Sequence, residues 1–515
     1  MHLTPGMPAS RRDALARLVG LAALTSLPAG AHGAQRHMAP ADGAAPDIPN
    51  ELLRQLRASG VPLGHWGIEV QAVHTGETLL SLNPQQTVPL ASTAKLVTSA
   101  AALDLLGPTF TWKTQVYLDG DLQDGTLHGD LVVVGGGDPT LRTEQLRAWL
   151  QDMRAAGLRR IRGDIVLDRS AFRLRQEDHD STPAPGPDRP HHVHPNALSL
   201  DQGVVQLALR RRPGAPPRLD ASVPLADPQL LQLGSPAASA EGCALQPRWA
   251  DPLRTTPSAP SHQHLRVETP PDSACQPPPV AAVLPPGSDL FAQVVGGLWR
   301  SVGGRLQGRV RQGAALRQGD GLRLPRLLRD GTPQSPWMTL RSAPLVEVMR
   351  DINKHSDNLA ARHLMLALSP GFPARAATLP DAQSRVTRWL LQQGITPDAL
   401  SLDSGSGLSR GDRGQARALV RLLRSAAFGP HSRDFVTSLP VAGMDGTLSN
   451  RFEGGPARGN ALLKTGSLLD ARALAGYVMT RQGTVCAVAM LVNHPRAELA
   501  RPALDQLVEW VVRHG

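Results

Sequence analysis

Residues 92–95 read Ser92-Thr93-Ala94-Lys95 and open an apolar run that stops at Gly107-Pro108. The run predicts a helix, and a Gly-Pro pair is typical of a helix end. Side chains three residues apart share a helix face, so we expect the Lys95 amine beside the Ser92 hydroxyl. A lysine that loses its proton can serve as the base for a serine nucleophile. Alone the pattern is weak, because a serine N-cap followed by a solvated lysine has the same spacing.

Two further short motifs lie in the second half of the chain. Ser356-Asp357-Asn358 stands at the head of a predicted helix, within helical periodicity over residues 343–368, and Lys464-Thr465-Gly466-Ser467 falls on a predicted strand just before a hairpin. Ser-x-x-Lys, Ser-Asp-Asn and Lys-Thr-Gly in this order resemble the motif set of penicillin-binding proteins and class A β-lactamases. Their joint occurrence by chance, each in a suitable context, is very unusual.

The distribution of lysine supports a chemical role for these motifs. Of the 54 basic residues only four are lysine, Lys95, Lys113, Lys354 and Lys464, which leaves 54 − 4 = 50 arginines. Three of the four lysines lie in or beside the motifs. Arginine cannot give up its proton in a protein and therefore cannot act as a base. The chain has kept an amine where this chemistry needs one.

The spacing of the motifs narrows the resemblance. Ser356 follows Ser92 by 356 − 92 = 264 residues, whereas a compact β-lactamase has only a few dozen there. The sequence resembles the D-alanyl-D-alanine carboxypeptidase/endopeptidase family, the class C low-molecular-mass penicillin-binding proteins (serine peptidase family S13), which insert extra domains at this point. The likeness covers most of residues 47–515, and further similar stretches are 137–141, 403–410, 443–448 and 464–478.

The resemblance implies an acyl-transfer mechanism without cofactor or metal. It implies Ser92 as nucleophile, Lys95 as its base, Ser356 as a proton relay to the leaving amine and Lys464 as the relay's helper. The implied substrate-binding residues are Asn358 for the substrate amide, Thr465 with Lys464 for a terminal carboxylate, Gly466 on a strand that pairs with the peptide, and Ser467, whose N–H would complete an oxyanion hole with that of Ser92.

Two departures from the family pattern concern substrate contacts. The family often has aromatic and acidic residues where this chain has His191–Asn196, and a glutamate is usual where Arg362 stands. The implied partners are peptidoglycan stem peptides, with β-lactam antibiotics as covalent inhibitors. The motifs do not bear on the oligomeric state.

The predicted fold class is mixed α/β (α+β). We expect a penicillin-binding-protein/β-lactamase-like transpeptidase domain, an antiparallel sheet flanked by helices, over residues 51–112 and 288–515. A β-rich insertion is expected over residues 113–287, because short strands and turns dominate there and seven prolines between Pro270 and Pro286 mark a boundary. An apolar periodic helix over 497–513 is expected to pack on the sheet rather than on a membrane.

The N-terminus has the order of a secretory signal. Three arginines precede the apolar run 18–24, and small residues follow, so residues 1–34 are expected to be a signal peptide and residues 35–50 a linker. Residues 10–15 half-match a twin-arginine signal, but alanine stands where that signal has an aromatic or apolar residue, which favours the general secretory route. We expect a periplasmic protein without a stable membrane span.

Charge and cysteine content restrict the remaining classes. The net charge of +10 is spread along the chain and aromatic residues make up only 3%, so nucleic-acid binding is not expected. Three cysteines suit an oxidising compartment, with Cys243 bridged to Cys275 and Cys486 left as a buried thiol. A loop rich in His and Asp offers no diagnostic metal spacing; its candidate ligands are Asp178, His179, Asp180, His191, His192 and His194.

Two other functions fit the same residues. A serine β-lactamase would use the same nucleophile but would release hydrolysed penicillin quickly, and a non-catalytic peptidoglycan-binding protein would keep the fold without needing Lys95.

Overall fold

The fold is described from a computed structural model of the 515-residue chain. The described residues are 48–212, 214–236, 243–250, 263–270, 275–314, 317–319, 322–324 and 334–515. The signal peptide expected over residues 1–34 and nearly all of the linker expected over 35–50 lie outside these ranges.

The helices and strands are numbered in chain order. The helices are α1 Asn50–Ala58, α2 Ala94–Leu106, α3 Thr143–Ala155, α4 Glu177–Asp180, α5 Leu290–Ser301, α6 Leu345–His355, α7 Asn358–Ala367, α8 Leu379–Gln392, α9 Ala416–Phe428, α10 Ser432–Ser438 and α11 Arg501–His514. The strands are β1 Trp66–Ala72, β2 Thr78–Leu82, β3 Val88–Pro89, β4 Lys113–Gln123, β5 Thr126–Val134, β6 Arg160–Ile161, β7 Ile165–Asp168, β8 Val204–Arg212, β9 Ala215–Ala221, β10 Leu231–Pro236, β11 Gln246–Ala250, β12 His264–Thr269, β13 Val280–Val283, β14 Arg305–Leu306, β15 Val310–Gln312, β16 Arg317–Gly319, β17 Leu322–Leu324, β18 Met338–Arg341, β19 Leu400–Ser401, β20 Arg413–Gly414, β21 Ala461–Leu468, β22 Ala471–Met479 and β23 Val485–Asn493.

The chain divides into two units. Unit 1 comprises the residues up to Phe110, Pro344–Leu368 and Ala382–Gly515, and unit 2 comprises Thr111–Ala343 and Ser369–Asp381. The three motifs all fall in unit 1, so one unit holds the whole candidate site.

Unit 1 is built on a five-stranded antiparallel sheet in the order β2-β1-β23-β22-β21. Strands from both ends of the chain therefore lie side by side, with Ile68 of β1 opposite Met490 of β23. This confirms the predicted antiparallel sheet. At the outer edge, Ala442 and Pro440 exchange backbone hydrogen bonds with Ala461 and Leu463 at the start of β21. Among the described residues no strand pairs with the outer edge of β21 beyond that point, so its later residues form an open edge.

Helices cover both faces of this sheet. Ile68 of β1 lies in one buried cluster with Leu504 and Leu507 of α11. Glu69 points to the opposite face, where its carboxylate lies 3.6 Å from Arg417 of α9. The apolar side of α11 is therefore used for packing on the sheet, as its periodicity predicts. A membrane span needs about 20 consecutive apolar residues, and none of the helices in the described ranges provides one.

The helical periodicity over residues 343–368 spans two helices in the structure, and the second motif lies at the head of the second helix, as predicted. Helix α6 ends at His355, and Ser356 adopts a left-handed conformation with φ 60°. The Asp357 side chain then caps α7 by accepting a hydrogen bond of 2.9 Å from the N–H of Ala360. Apolar periodicity continues across the break, so the pattern does not show the left-handed conformation of Ser356.

Unit 2 extends further along the chain than the predicted insertion 113–287. Helix α5 belongs to it, because Phe291 and Leu298 pack in the same buried cluster as Trp149. The later strand β18 pairs with β4, with Met338 opposite Val116. The boundary expected at residues 287/288 is therefore wrong, because unit 2 continues to Ala343 and also includes Ser369–Asp381. The proline-rich stretch is internal to the unit, since β13 within it pairs with β8.

Unit 2 is rich in short strands, as predicted. Its described strands form one seven-stranded sheet that contains β14, β6, β5, β4 and β18 together with β7 and β15, two three-stranded sheets and a two-stranded hairpin.

The cysteines of unit 2 form a disulfide. Cys243 and Cys275 are bonded with their Cα atoms 5.8 Å apart, across a separation of 32 residues. Cys486, on β23 in unit 1, is a buried free thiol, and burial raises its pKa to about 12. Such a thiol is almost entirely protonated at neutral pH, so it is a poor nucleophile.

Candidate active site

Ser92 lies on a tight turn at the head of a buried helix. A single 3₁₀ turn, Ala91–Thr93, precedes α2, and the residue before the serine, Ala91, has φ 47°. Ala91 is fully buried, so the surrounding packing holds this uncommon conformation. The turn leaves the Ser92 side chain partly exposed at the start of α2, where free backbone N–H groups favour negative charge.

The Lys95 amine lies against the Ser92 hydroxyl. Its Nζ is 3.0 Å from Ser92 Oγ, the contact that the spacing predicts. The same nitrogen donates to Asn358 Oδ1 at 2.6 Å and to the backbone oxygen of Ser406 at 2.5 Å. Lys95 is fully buried, and these three partners are all uncharged oxygens. The amine is thus anchored without an ion pair that would hold its proton.

A buried carboxylate shapes the loop that supplies one of those oxygens. Asp412 accepts hydrogen bonds from the N–H groups of Asp403, Gly405 and Gly407 at 2.8, 3.0 and 2.8 Å. It also accepts one from the Ser404 hydroxyl at 2.5 Å. These bonds fix the turn that aims the Ser406 carbonyl at Lys95. Sequence reasoning assigned no role to Asp412 or Ser406, because a backbone acceptor leaves no trace in a motif.

Ser356 and Lys464 form the second pair. Lys464 Nζ donates to Ser356 Oγ and to the backbone oxygen of Thr465, both at 2.9 Å. The left-handed turn at Ser356 places its hydroxyl between the two helices, while Asn358 in the first turn of α7 reaches Lys95. The structure therefore brings together all four residues expected to be catalytic.

Strand β21 carries the third motif past the nucleophile. An added Cβ on Gly466 would lie 3.0 Å from the Cβ of Ala91 and 3.1 Å from the Leu90 oxygen, so the strand backbone touches the Ser92 turn. Thr465 is partly buried and Ser467 exposed, both on the open edge of β21. The arrangement leaves room for a peptide along this edge.

A second network lies behind these residues and was missed from the sequence. The buried Lys354 forms an ion pair with Asp445, with its Nζ 2.8 Å from each carboxylate oxygen. Two residues further on, the Thr447 and Thr465 hydroxyl oxygens are 2.9 Å apart. In the sequence, stretch 443–448 shows only a family likeness and Lys354 only its place beside a motif.

Burial lowers the pKa of both motif lysines, because it disfavours their charged form. It lowers the pKa of Lys95 to about 7, against the opposing effect of the Asp357 and Asp412 carboxylates. Burial, and then the neighbouring Lys95 amine, also lowers the pKa of Lys464 well below its usual value. A substantial fraction of Lys95 is thus neutral near pH 7, in the form that can accept a proton from Ser92.

This pKa predicts the pH dependence of acylation. Below about pH 7 Lys95 is protonated and cannot act as a base, so the acylation rate should fall about tenfold per pH unit, and above its pKa the rate should level off. The check is the second-order rate of labelling by benzylpenicillin from about pH 5 to about pH 9. A profile flat through neutrality, or one still rising near the usual lysine pKa, would contradict a Lys95 base.

Gly407 is a position at which we expect any side chain to disturb the Ser92 turn. Its φ is +86°, and an added Cβ would lie 1.9 Å from the Ala91 oxygen and 2.7 Å from the Ser92 nitrogen. Gly407→Ala should therefore displace the Ser92 turn, lower penicillin acylation at least about tenfold and reduce the free energy of unfolding by roughly 1–3 kcal/mol. Gly454→Ala is the control, since its added Cβ meets nothing within 4 Å. Equal acylation rates for the two variants would refute this packing argument.

Arg362, which departs from the family pattern, is buried on α7. Burial lowers its pKa to about 10, and Asp412 followed by Asp403 opposes that shift. The guanidinium therefore remains charged at neutral pH and is balanced by the carboxylates of the 403–412 loop. Arg362 therefore replaces the family's glutamate among the groups that surround the Lys95 site, and every motif residue is still present.

The His- and Asp-rich loop lies in unit 2. His179 and His194 rings are 4.1 Å apart, and Asn196 donates to Asp289 at 2.9 Å. Within the described ranges, no three His, Cys, Asp or Glu side chains come together as a group that could hold a metal ion. The side chain of Asp180 lies outside the described residues.

Comparisons with known proteins identify a family and several relatives. A model of the D-Ala-D-Ala carboxypeptidase 3 (S13) family matches residues 51–514. A D-alanyl-D-alanine carboxypeptidase of Actinomadura sp. (strain R39) is 28% identical over 494 residues, covering 92% of this chain and 86% of the relative. The D-alanyl-D-alanine carboxypeptidase DacB of Haemophilus influenzae is 26% identical over 440 residues, covering 83% and 85%.

Solved structures show the same fold. The crystal structure of penicillin binding protein 4 (dacB) from Haemophilus influenzae matches with a TM-score of 0.71 and 23% identity, over 90% of this chain and 100% of that one. The same protein complexed with a novel beta-lactam matches with a TM-score of 0.66 and 23% identity, over the same 90% and 100%.

Proposed function

The chain belongs to the D-Ala-D-Ala carboxypeptidase 3 (S13) family, and we propose that it is a serine hydrolase that uses Ser92 to cleave D-alanyl-D-alanine ends, or D-alanyl cross-links, of peptidoglycan stem peptides. The observation that carries the proposal is the buried Lys95 amine 3.0 Å from the Ser92 hydroxyl. Its lowered pKa and its three uncharged acceptors suit a base rather than a structural cation.

In the acylation step, Ser92 Oγ attacks the carbonyl carbon of the penultimate D-alanine while its proton passes to Lys95 Nζ. The developing oxyanion accepts hydrogen bonds from the N–H groups of Ser92 and Ser467. The C–N bond then breaks, and the leaving amine takes a proton through Ser356. The 2.9 Å contact between Lys464 and Ser356 supports this relay.

In the deacylation step, water attacks the ester of Ser92 and gives its proton to the base. The ester C–O bond breaks and Ser92 recovers its hydroxyl, so the cycle consumes one water and releases a shortened peptide. Asn358 would orient the substrate amide, and Thr465 with Lys464 would bind the terminal carboxylate. The open edge of β21, which includes Gly466, would add the peptide as a further strand.

β-Lactams would act as covalent inhibitors through the same acyl-enzyme. The related Haemophilus influenzae protein has been crystallised with a β-lactam, which supports this expectation. We also propose export to the periplasm, where the substrate is found. The signal-like sequence of residues 1–34 supports export, and the Cys243–Cys275 disulfide suits an oxidising compartment.

The test incubates the full chain with a fluorescent penicillin and, separately, with a peptide that ends in D-alanyl-D-alanine. A long-lived adduct together with release of D-alanine supports the proposal. Rapid turnover of penicillin without D-alanine release would instead indicate a β-lactamase, and the absence of both labelling and cleavage would indicate a non-catalytic wall-binding protein.

A further inference from the structure

Thr447 stands at the mouth of the site, beside the third motif. Its side chain is exposed, and its hydroxyl oxygen is 2.9 Å from that of Thr465 on the open edge of β21. In the proposed function, Thr465 helps to bind the terminal carboxylate of the substrate. Two neighbouring hydroxyls that face the same opening can both donate to one anion, because each can rotate its proton.

The backbone beside Thr447 is anchored by the ion pair between Lys354 and Asp445. Asp445 receives two 2.8 Å contacts from Lys354 Nζ and one from the Val441 N–H, also at 2.8 Å. Between Asp445 and Thr447, Gly446 has φ +56°, and a Cβ there would lie 2.5 Å from the Lys354 oxygen. The segment thus touches the end of α6, immediately before the Ser356 turn. The backbone beside Thr447 is held by this largely buried ion pair, so its exposed hydroxyl is preorganised for binding.

The same ion pair explains the third lysine of the site. Lys354 is one residue from the left-handed turn, and its pairing with Asp445 ties the second motif to the segment that faces the third. Lys464 connects the second and third motifs directly, since its amine contacts both Ser356 and the backbone oxygen of Thr465. The hydroxyl of Thr447 therefore has a fixed place relative to the proton relay and to the carboxylate-binding strand.

We propose that Thr447 is a specificity-determining residue, whose hydroxyl donates a second hydrogen bond to the substrate's terminal carboxylate beside Thr465. This inference rests on the proposed function and adds a residue to its carboxylate site. A hydrogen bond to an ionised acceptor is stronger than one to a neutral acceptor, so Thr447 should distinguish a free carboxylate from a carboxamide at the same position.

The test compares two peptides that differ only at their C-terminus, D-alanyl-D-alanine with a free carboxylate and the same peptide ending in a carboxamide. Thr447→Val keeps the shape but removes the hydroxyl. It should lower kcat/KM for the carboxylate peptide by about tenfold or more and that for the carboxamide by less than about twofold. Thr447→Ser should restore the preference for the carboxylate.

Thr437→Val is the matched control, since this α10 threonine bonds only with backbone oxygens of its own segment among the contacts described, and both rates should stay unchanged. If the carboxamide is cleaved too slowly, its inhibition constant against penicillin labelling replaces kcat/KM.

The outcomes separate the two claims. Equal losses for both peptides in Thr447→Val, or no loss for either, would overturn the role of Thr447 while cleavage by the unchanged chain upholds the proposed function. A chain that cleaves neither peptide and forms no penicillin adduct would overturn the proposed function, and the assignment of Thr447 with it.

Discussion

Ser92→Ala should abolish covalent labelling by penicillin and lower peptide hydrolysis on the order of 10⁶-fold, the scale at which other serine hydrolases lose activity without their nucleophile. The reason is chemical, since no acyl-enzyme can form without the hydroxyl oxygen. The side chain is only partly buried, and its loss opens little space. The melting temperature should therefore stay close to that of the unchanged chain.

The measurement is gel fluorescence after incubation with a fluorescent penicillin, together with the release of D-alanine from the peptide. Ser449→Ala is the control, because Ser449 is exposed and lies outside the motifs. It should label normally. An Ser92→Ala variant that keeps its fold and still forms the adduct would show that another residue is the nucleophile.

Lys95→Arg should lower the acylation rate by about 10²–10⁴-fold, the usual contribution of a general base. Arginine preserves the positive charge but cannot accept the Ser92 proton at any accessible pH. Its planar head also cannot reproduce the three contacts of Lys95 Nζ with Ser92, Asn358 and Ser406 in a fully buried position.

Lys113→Arg is the matched control, since Lys113 is exposed on β4 in unit 2. This variant should acylate at the normal rate. Melting temperatures of both variants identify any loss that comes from misfolding. A folded Lys95→Arg variant that acylates close to the normal rate would mean that Lys95 is not the base.

The parts of the site that follow from local geometry could be predicted from the sequence. Ser92 and Lys95 are three residues apart at a helix start, and that spacing alone brings amine and hydroxyl together. The strand that carries Lys464 could also be predicted, because it comes just before a hairpin of two apolar strands. The β-rich second unit followed from strand periodicity, and the antiparallel sheet flanked by helices followed from the family resemblance.

The parts that depend on contacts distant in sequence could not be predicted. The helix start at the second motif could be predicted, but the left-handed backbone of Ser356 could not, because a hydrophobic face says nothing about a single φ angle. The Ser406 oxygen that binds Lys95 and the Asp412 carboxylate behind it are positioned by the folded loop. The end of unit 2 was misplaced because α5 is helical yet packs with strands of that unit.

The central claim is that this chain acts through an acyl-enzyme on Ser92. Its most direct measurement is mass spectrometry of the full chain after brief exposure to benzylpenicillin, followed by mapping of the modified peptide. We expect one penicilloyl group per chain, attached to the peptide that contains Ser92, with loss of the group much slower than its formation. An adduct on any other residue, or none at all in a folded chain, would contradict it.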